Sequence, residues 1–242
     1  MLIVPQNLIE PSRIAANSAR LAARIRAAAQ ESGRSVDHIT LVGASKGQSA
    51  AAILAAHAAG VRHFGESYVQ DALPKMAAIA ANPNPGPPPV WHFIGKLQAN
   101  KSRAVAENFA WVHTLDRLRL AERLAGQRPY HAPALNVCVQ VHIGGEGSKG
   151  GAAIAQVPQL LRDIAALPRL KLRGLMCLPP AETDPARQRF WLHQLRDLFE
   201  SVNADGAGLD TLSMGMSSDL EAAVHEGATL VRIGTDLFGP RP

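Results

Sequence analysis

A lysine follows the first strongly apolar run of the chain. Lys46 comes directly after Ile39–Ala44 and Ser45, and the next lysine is Lys75. If that run is a strand of an α/β barrel, Lys46 lies at the barrel mouth, where such barrels place their functional groups. Desolvation and nearby cations would favour a neutral amine there, which can form a Schiff base. An ordinary solvated lysine is the alternative that remains open at this point.

Two later apolar runs end in small and hydroxyl residues. Leu209–Met214 leads into Gly215-Met216-Ser217, and Thr229–Ile233 leads into Gly234-Thr235. Loops after the last two strands of a barrel frequently bind phosphate, because backbone N–H groups at helix starts favour an anion. Capping of the following helix is an equally good role for Ser217. A lysine at one end and a phosphate site at the other would suit pyridoxal 5′-phosphate.

One glycine motif suggests a different class of protein. Gly145–Gly150 matches G-x-G-x-x-G after an apolar run, which is the dinucleotide-binding pattern and makes an oxidoreductase a weaker hypothesis. However, four strand–helix units precede the motif, whereas in dinucleotide-binding folds they follow it. The next apolar run, Leu170–Cys177, also ends without the acid expected to bind ribose. A loop at the barrel mouth is therefore favoured.

Metal and nucleic-acid sites are disfavoured by spacing. The histidines in or beside apolar runs form no H-x-H pair with a nearby acid, so packed, hydrogen-bonded histidines are expected: His63, His92, His113 and His142. The basic stretch Lys96–Arg103 lacks interleaved aromatic residues and is typical of a solvated helix start.

Composition indicates a folded protein of a reducing compartment. With 47% hydrophobic and 19% charged residues, the 242-residue chain is too apolar to be disordered. It holds two cysteines, Cys138 and Cys177, each in an apolar run, so buried free thiols are expected in a cytoplasmic protein. No apolar run is long enough to span a membrane. The net charge of +5 is explained as well by an anionic ligand as by nucleic acid.

The apolar runs alternate with helical stretches. After a leading helix predicted over about Pro11–Ser32, this alternation predicts a parallel sheet, and eight strands in this length favour a (β/α)₈ TIM barrel over an open doubly wound sheet. One domain, 1–242, is expected, with the proline-rich Asn82–Pro89 as a spacer loop. The predicted strands are Ile39–Ala44, Val61–Phe64, Val90–Ile94, Trp111–Thr114, Leu135–Ile143, Leu170–Cys177, Leu209–Met214 and Thr229–Ile233. The predicted helices cover about 49–59, 67–80, 98–108, 116–127, 151–167, 184–203 and 217–226.

Taken in order, several motifs make the chain resemble the pyridoxal phosphate homeostasis proteins (the YggS/PROSC family), which are similar in fold to the N-terminal barrel of alanine racemase. The resemblance extends over nearly the whole chain. The matching segments are Leu41–Lys46, Phe64–Gln70, Trp91–Arg103, Val112–Leu124, Gly145–Gly151, Leu172–Met176, Leu212–Glu221 and Val231–Gly239.

The resemblance implies a role for particular residues. It implies that Lys46 holds pyridoxal 5′-phosphate as an internal aldimine and that Arg232 faces the pyridine nitrogen. An arginine there would keep that nitrogen unprotonated, because two cations repel. By the same resemblance the phosphate lies among residues of the last two strand ends, partly against backbone N–H groups: Ser213, Met214, Ser217, Gly234 and Thr235.

The sequence departs from the family pattern in three places. Ser67 replaces the usual asparagine after Phe-Gly-Glu, and Lys96 replaces a frequent histidine. Gly47-Gln48-Ser49 replaces threonine, lysine and proline, so the resemblance predicts that a second lysine near the site is missing.

The expected function is that of a pyridoxal phosphate carrier in homeostasis, which protects the cofactor and supplies it to apo-enzymes. Alanine racemases use a tyrosine base that depends on a separate β-domain, for which the chain up to Pro242 leaves no room. A weak racemase-like enzyme is the alternative. Without such a domain a monomer is expected, with no nucleic-acid or membrane partner.

Overall fold

A computed structural model describes residues 10–82, 86–144 and 150–240. The Gly145–Gly150 motif therefore lies outside the described residues, except for Gly150. Part of the spacer loop predicted over Asn82–Pro89 lies outside them as well. In the described ranges, no helix has both the length and the apolar character needed to cross a membrane.

The leading helix is present as predicted. Helix α1 spans Pro11–Glu31, with proline in its first turn, where a missing N–H costs nothing. Its inward face buries Ile14, Ser18, Leu21 and Ile25. This stripe follows the 3.6-residue period of an amphipathic helix, so α1 packs on the barrel.

The predicted TIM barrel is confirmed. Parallel strands close in chain order, with β8 paired to β1. The strands are β1 Thr40–Ala44, β2 His63–Glu66, β3 Val90–Phe93, β4 Trp111–Leu115, β5 Leu135–Gln140, β6 Leu170–Met176, β7 Thr211–Ser213 and β8 Leu230–Ile233. Because the strands are parallel, their C-terminal ends form one rim of the barrel.

Helices follow the strands and cover the barrel from outside. They are α2 Ala50–Ala58, α3 Val69–Ala80, α4 Ser102–Asn108, α5 Leu118–Gln127, α6 Val157–Ala165, α7 Pro185–Ala204, α8 Leu220–His225 and α9 Thr235–Phe238. Short 3₁₀ turns at Val36–His38, Ala99–Lys101 and Ile154–Gln156 precede β1, α4 and α6.

The observed strands are mostly shorter than the apolar runs that predicted them. The prediction Leu135–Ile143 overshoots, because β5 ends at Gln140 and Val141 forms only an isolated bridge with Ala152. The run Leu209–Met214 contains only the three residues of β7, with Met214 beyond the strand end. Apolar residues continue past the last interstrand hydrogen bond, because a barrel strand is buried on both of its faces.

Candidate functional site

The C-terminal ends of β1 and β8 open onto a cavity of about 330 Å³. The structure brings five predicted site residues to its wall: Lys46, Ser217, Arg232, Gly234 and Thr235. Lys46 is exposed at the mouth, so the desolvation expected from the sequence is not observed. The lysine and the arginine thus share one cavity although they are far apart in the chain.

The other two predicted residues lie behind the cavity wall. Ser213 is fully buried, and its Oγ accepts a hydrogen bond from Nη1 of Arg232 at 2.6 Å. The side chain of Met214 belongs to the apolar core, and its N–H donates to the carbonyl of Leu230 at 3.1 Å. Ser213 therefore reaches the cavity only through Arg232, and the N–H of Met214 is already used.

Arg232 is a buried cation at the base of the cavity. Only 4% of the residue is exposed, and its Nη2 donates to the carbonyl of Cys177 at 2.8 Å. Burial lowers the pKa of its guanidinium, which nevertheless stays charged at neutral pH. Within the described ranges it forms no salt bridge with a carboxylate. Its charge is therefore available to a bound group.

The loop after β7 is held by its own side chains. The carboxylate of Asp219 accepts from the Met216 N–H at 2.6 Å, and burial raises the pKa of this carboxyl. Ser217 Oγ accepts from the Asp236 N–H at 3.2 Å, which joins the loops after β7 and β8. The prediction that Ser217 caps the following helix is wrong, because α8 begins only at Leu220 and the hydroxyl is turned to the neighbouring loop.

An arginine on α1 braces the same two loops from outside. Arg24 forms a salt bridge with Glu221 at 2.7 Å and another with Asp236. It also donates to the carbonyl of Ser217 at 3.3 Å. The leading helix therefore positions the candidate phosphate side of the cavity. This role of Arg24 could not be predicted from the sequence, because its partners lie about 190 or more residues away in the chain.

A second cavity of about 450 Å³ adjoins the first at Lys46. Two positions that depart from the family pattern, Ser67 and Lys96, line it. The chain passes very close here, because a Cβ on Gly95 would lie 2.1 Å from the carbonyl oxygen of Ser67. Lys46 therefore lines both cavities. The first cavity also has hydroxyl residues in its wall, and the second also has lysines.

A buried ion pair supports the end of β1. Lys75 on α3 donates to Glu66 Oε1 at 2.6 Å and to the carbonyl of Ser45 at 3.1 Å. Ser45 Oγ also donates to Glu66 Oε1 at 2.6 Å. The family's second lysine is absent from Gly47-Gln48-Ser49, as the sequence shows, but Lys75 brings a different lysine to the support of the site. Lys75 reaches the residue next to Lys46 from a different helix, which chain spacing alone could not reveal.

The two cysteines are the inert thiols predicted from the sequence. Cys138 and Cys177 are free and buried. Burial raises the pKa of each thiol to about 12. Because the thiolate is the reactive form, neither group is suited to nucleophilic chemistry at neutral pH.

Three of the predicted histidines pack together inside the barrel. His63 Nδ1 lies 2.9 Å from His92 Nε2, and His92 Nδ1 lies 2.8 Å from His113 Nε2. His92 and His113 are fully buried. The predicted packed, hydrogen-bonded histidines are thus observed. The described part of the chain contains no group of three or more potential metal ligands among His, Cys, Asp and Glu.

The lowered pKa values of these histidines lead us to expect a loss of stability in mild acid. Burial lowers the pKa of His92 and His113 well below 6.5 and also lowers that of His63. The unfolded chain therefore binds more protons than the folded chain below about pH 6.5. We expect the free energy of unfolding to fall there by up to about 1.4 kcal/mol per pH unit for each buried imidazole.

Urea unfolding at pH 7.5, 6.5 and 5.5 measures this dependence. The carboxyl groups with lowered pKa values titrate below this window. Asp219, whose carboxyl pKa is raised by burial, opposes the effect, but it is one group against three imidazoles. A free energy of unfolding that stays constant from pH 7.5 to 5.5 would show that the core imidazoles are not held neutral.

Comparison with known proteins identifies the family of this chain. The family model "Alanine racemase, N-terminal domain" matches residues 16–242. The pyridoxal phosphate homeostasis protein of Pseudomonas aeruginosa is 52% identical over 230 residues, which cover 95% of this chain and 96% of that protein. The protein of that name from Escherichia coli K12 is 47% identical over 228 residues, covering 94% and 97% of the two chains.

Solved structures show the same fold. PipY of Synechococcus elongatus with PLP bound matches with a TM-score of 0.81 and 36% identity, covering 93% of this chain and 100% of that one. Alanine racemase from Corynebacterium glutamicum matches with a TM-score of 0.69 at 16% identity, covering 96% of this chain and 62% of that one. The second match shows only a shared fold. The resemblance drawn from the sequence motifs is confirmed, and the chain belongs to the pyridoxal phosphate homeostasis proteins of the alanine racemase N-terminal domain family.

Proposed function

We propose that this protein binds pyridoxal 5′-phosphate through Lys46 and serves in pyridoxal phosphate homeostasis by supplying the cofactor to apo-enzymes. The observation that carries the proposal is the single cavity that both Lys46 and Arg232 line. A primary amine is the group that condenses with the aldehyde of this cofactor, and an arginine is one of the residue types that face its ring nitrogen. When bound, pyridoxal phosphate supplies an aldehyde that condenses with the lysine amine to a Schiff base, with loss of water.

The residues between these two groups fit a phosphate. The hydroxyl groups of Ser217 and Thr235 belong to cavity-wall residues and can each donate to a phosphate oxygen. The hydrogen bond from the Asp236 N–H occupies an acceptor position of Ser217 Oγ, which leaves its own proton to be donated. Gly234 has no side chain to fill the space beside Ala44. Ser213 and Met214 complete the loop in this proposal, as support behind the wall.

Arg232 holds the ring side of the cavity in this proposal. Because no carboxylate forms a salt bridge with it in the described ranges, its charge opposes protonation of a neighbouring pyridine nitrogen. A ring with an unprotonated nitrogen is a weaker electron sink. This property suits a protein that stores the cofactor better than one that labilises a substrate bond, and the racemase alternative gains no support from the low-identity likeness to alanine racemase.

The wider setting is part of the same proposal. We propose one domain over 1–242 that acts as a monomer in the cytoplasm, with apo-enzymes as its protein partners. The two free, buried cysteines support a reducing compartment.

Absorbance tests the proposal. Addition of pyridoxal phosphate to the protein should produce a visible band that borohydride removes. The Lys46→Arg variant, which keeps the charge but cannot condense with an aldehyde, should show no such band. Lys96→Arg is the matched control, because that lysine lines the adjoining cavity. An unchanged band in Lys46→Arg would overturn the proposal.

Transfer of the cofactor to an apo-enzyme distinguishes a carrier from an enzyme. The loaded protein, mixed with a pyridoxal phosphate-dependent apo-enzyme, should restore that enzyme's activity. The loaded protein alone should not interconvert L- and D-amino acids. Racemisation above the rate of free pyridoxal phosphate, without transfer, would favour the racemase alternative instead.

A further inference from the structure

A continuous chain of hydrogen bonds crosses the barrel interior and ends at Arg232. It begins at His63, the first residue of β2, and passes through His92 on β3 and His113 on β4. His113 Nδ1 then lies 2.7 Å from Ser213 Oγ on β7, across the barrel. Ser213 in turn accepts from Arg232 at 2.6 Å. Every step is of ordinary hydrogen-bond length, so each group fixes the next.

The arginine sets the direction of this chain. A guanidinium can only donate, so Ser213 Oγ must accept from Arg232. In the described ranges Ser213 Oγ has no third hydrogen-bond partner, so a hydroxyl that accepted from both Arg232 and His113 would leave its own proton buried without an acceptor. The hydroxyl proton is therefore assigned to His113 Nδ1. His113 must then donate from Nε2 to His92 Nδ1, and His92 from Nε2 to His63 Nδ1. All three imidazoles are thereby assigned to the neutral Nε2–H tautomer.

We propose that His113, His92 and His63 are positioning residues of the cofactor site. As an ordered row of Nε2–H tautomers they hold the hydroxyl of Ser213, and through it the guanidinium of Arg232, in the orientation that faces the cavity. A change at His63, at the opposite end of the barrel, therefore reaches the cofactor ring. The part of this inference that concerns the ring rests on the proposed function, whereas the order of the tautomers does not.

The far end of the chain is accessible and basic. His63 lines a cavity of about 420 Å³ beneath α1, together with Arg26 and Arg62. No carboxylate is among the described residues of that wall. The titratable and charged groups around His63 are therefore His92 on β3, Arg26 on α1 and Arg62, the residue before His63. At the other end of the chain the nearest charge is Arg232. None of them stabilises an imidazolium.

Protonation of His63 would disrupt the order. A doubly protonated His63 presents an Nδ1–H to the Nε2–H of His92, and two donors cannot share a hydrogen bond. The conflict is relieved only if every proton in the row shifts and Ser213 turns its hydrogen away from His113. Ser213 Oγ then accepts from both His113 and Arg232, and its own proton loses the acceptor that fixed it. Protonation of His63 therefore changes the set of hydrogen bonds that orients Arg232.

Nitrogen NMR of the histidine side chains tests the order without cofactor. In the full-length protein at neutral pH, all three imidazoles should show a protonated Nε2 and an unprotonated Nδ1. Ser213→Ala should shift the resonances of His113, His92 and His63 together, whereas Ser213→Thr, which keeps the hydroxyl, should shift them little. An Nδ1–H tautomer in any of the three, or a Ser213→Ala effect confined to His113, would overturn the proposal.

The loaded protein supplies a second measurement. His63→Phe removes the acceptor for His92 at a site remote from the cofactor, and we expect the pH midpoint of the visible band to move by about half a unit or more. His63→Gln, which can still accept from His92, should restore most of the wild-type midpoint. A wild-type midpoint in His63→Phe contradicts the link to the ring. Failure of cofactor binding itself would appear instead as absence of the band in the unmodified protein, with the NMR result unaffected.

Discussion

Replacement of Lys75 by methionine is expected to destabilise the protein by about 3–5 kcal/mol, because it leaves the carboxylate of Glu66 buried without its cation. Only 1% of the Glu66 side chain and 13% of the Lys75 side chain are exposed, so solvent cannot replace the lost partner. The pair also holds Ser45, the residue before Lys46. We therefore expect weaker cofactor retention as well as lower stability. Urea unfolding measures the first effect, and the visible band measures the second.

Two controls separate this pair from ordinary surface charges. The double variant Glu66→Gln with Lys75→Met removes both charges and should recover part of the lost stability, because no uncompensated ion remains. Arg103→Met breaks the exposed pair with Glu107, in which the two charged atoms are 3.8 Å apart, and should cost less than about 1 kcal/mol. Equal losses in Lys75→Met and Arg103→Met would show that Glu66 is not truly desolvated.

Replacement of Gly215 by alanine is expected to damage the candidate phosphate loop. Gly215 has a φ of +96°, and a Cβ there would lie 2.5 Å from Cβ of Ala223 on α8. A left-handed conformation costs an L-residue about 1–2 kcal/mol, and crowding in a packed core adds about 1–3 kcal/mol. Because the loop carries Ser217, we expect the affinity for pyridoxal phosphate to fall by at least about tenfold, or about 1.4 kcal/mol.

Gly206 provides the matched control. It has a φ of +87°, but a Cβ there would meet nothing within 4 Å. Gly206→Ala should therefore show the conformational cost alone, about 1–2 kcal/mol, with unchanged cofactor affinity. Thermal or urea unfolding and a cofactor titration of both variants make the comparison. Unchanged affinity in Gly215→Ala would place the phosphate elsewhere.

The barrel could be predicted well from the sequence, because apolar runs and helix-forming stretches alternate regularly along the chain. Alternating apolar runs and helix-forming stretches place all the strands, and the buried face of α1 follows from Ile14, Leu21 and Ile25. Strand ends were less predictable, as β5 and β7 show. A strand ends where its hydrogen bonds to the adjacent strand end, and apolar residues can continue beyond that point. Lys46 could be selected in advance because it follows an apolar run, whereas Arg232 lies inside the run Thr229–Ile233 and was selected only through the family resemblance.

The supporting residues could not be predicted in the same way. Lys75 and Arg24 reach the site from the outer helices, and nothing in their local sequence indicates which loop they bind. The same holds for the histidine row, whose members lie on three strands and meet Ser213 only across the closed barrel. Such contacts depend on closure of the barrel, which brings together residues that are distant in the chain. Of the two roles left open for Ser217, capping of the following helix is not observed for the same reason, because its hydroxyl accepts from the Asp236 N–H after β8.

The most direct measurement of the central claim is the location of the reduced cofactor. The full-length protein is loaded with pyridoxal phosphate, treated with borohydride, digested and analysed by mass spectrometry. The account predicts one dominant modified peptide, with the phosphopyridoxyl group on Lys46, and its absence in Lys46→Arg. Modification chiefly at Lys75, Lys96 or Lys101, or labelling spread evenly over the lysines, would contradict it.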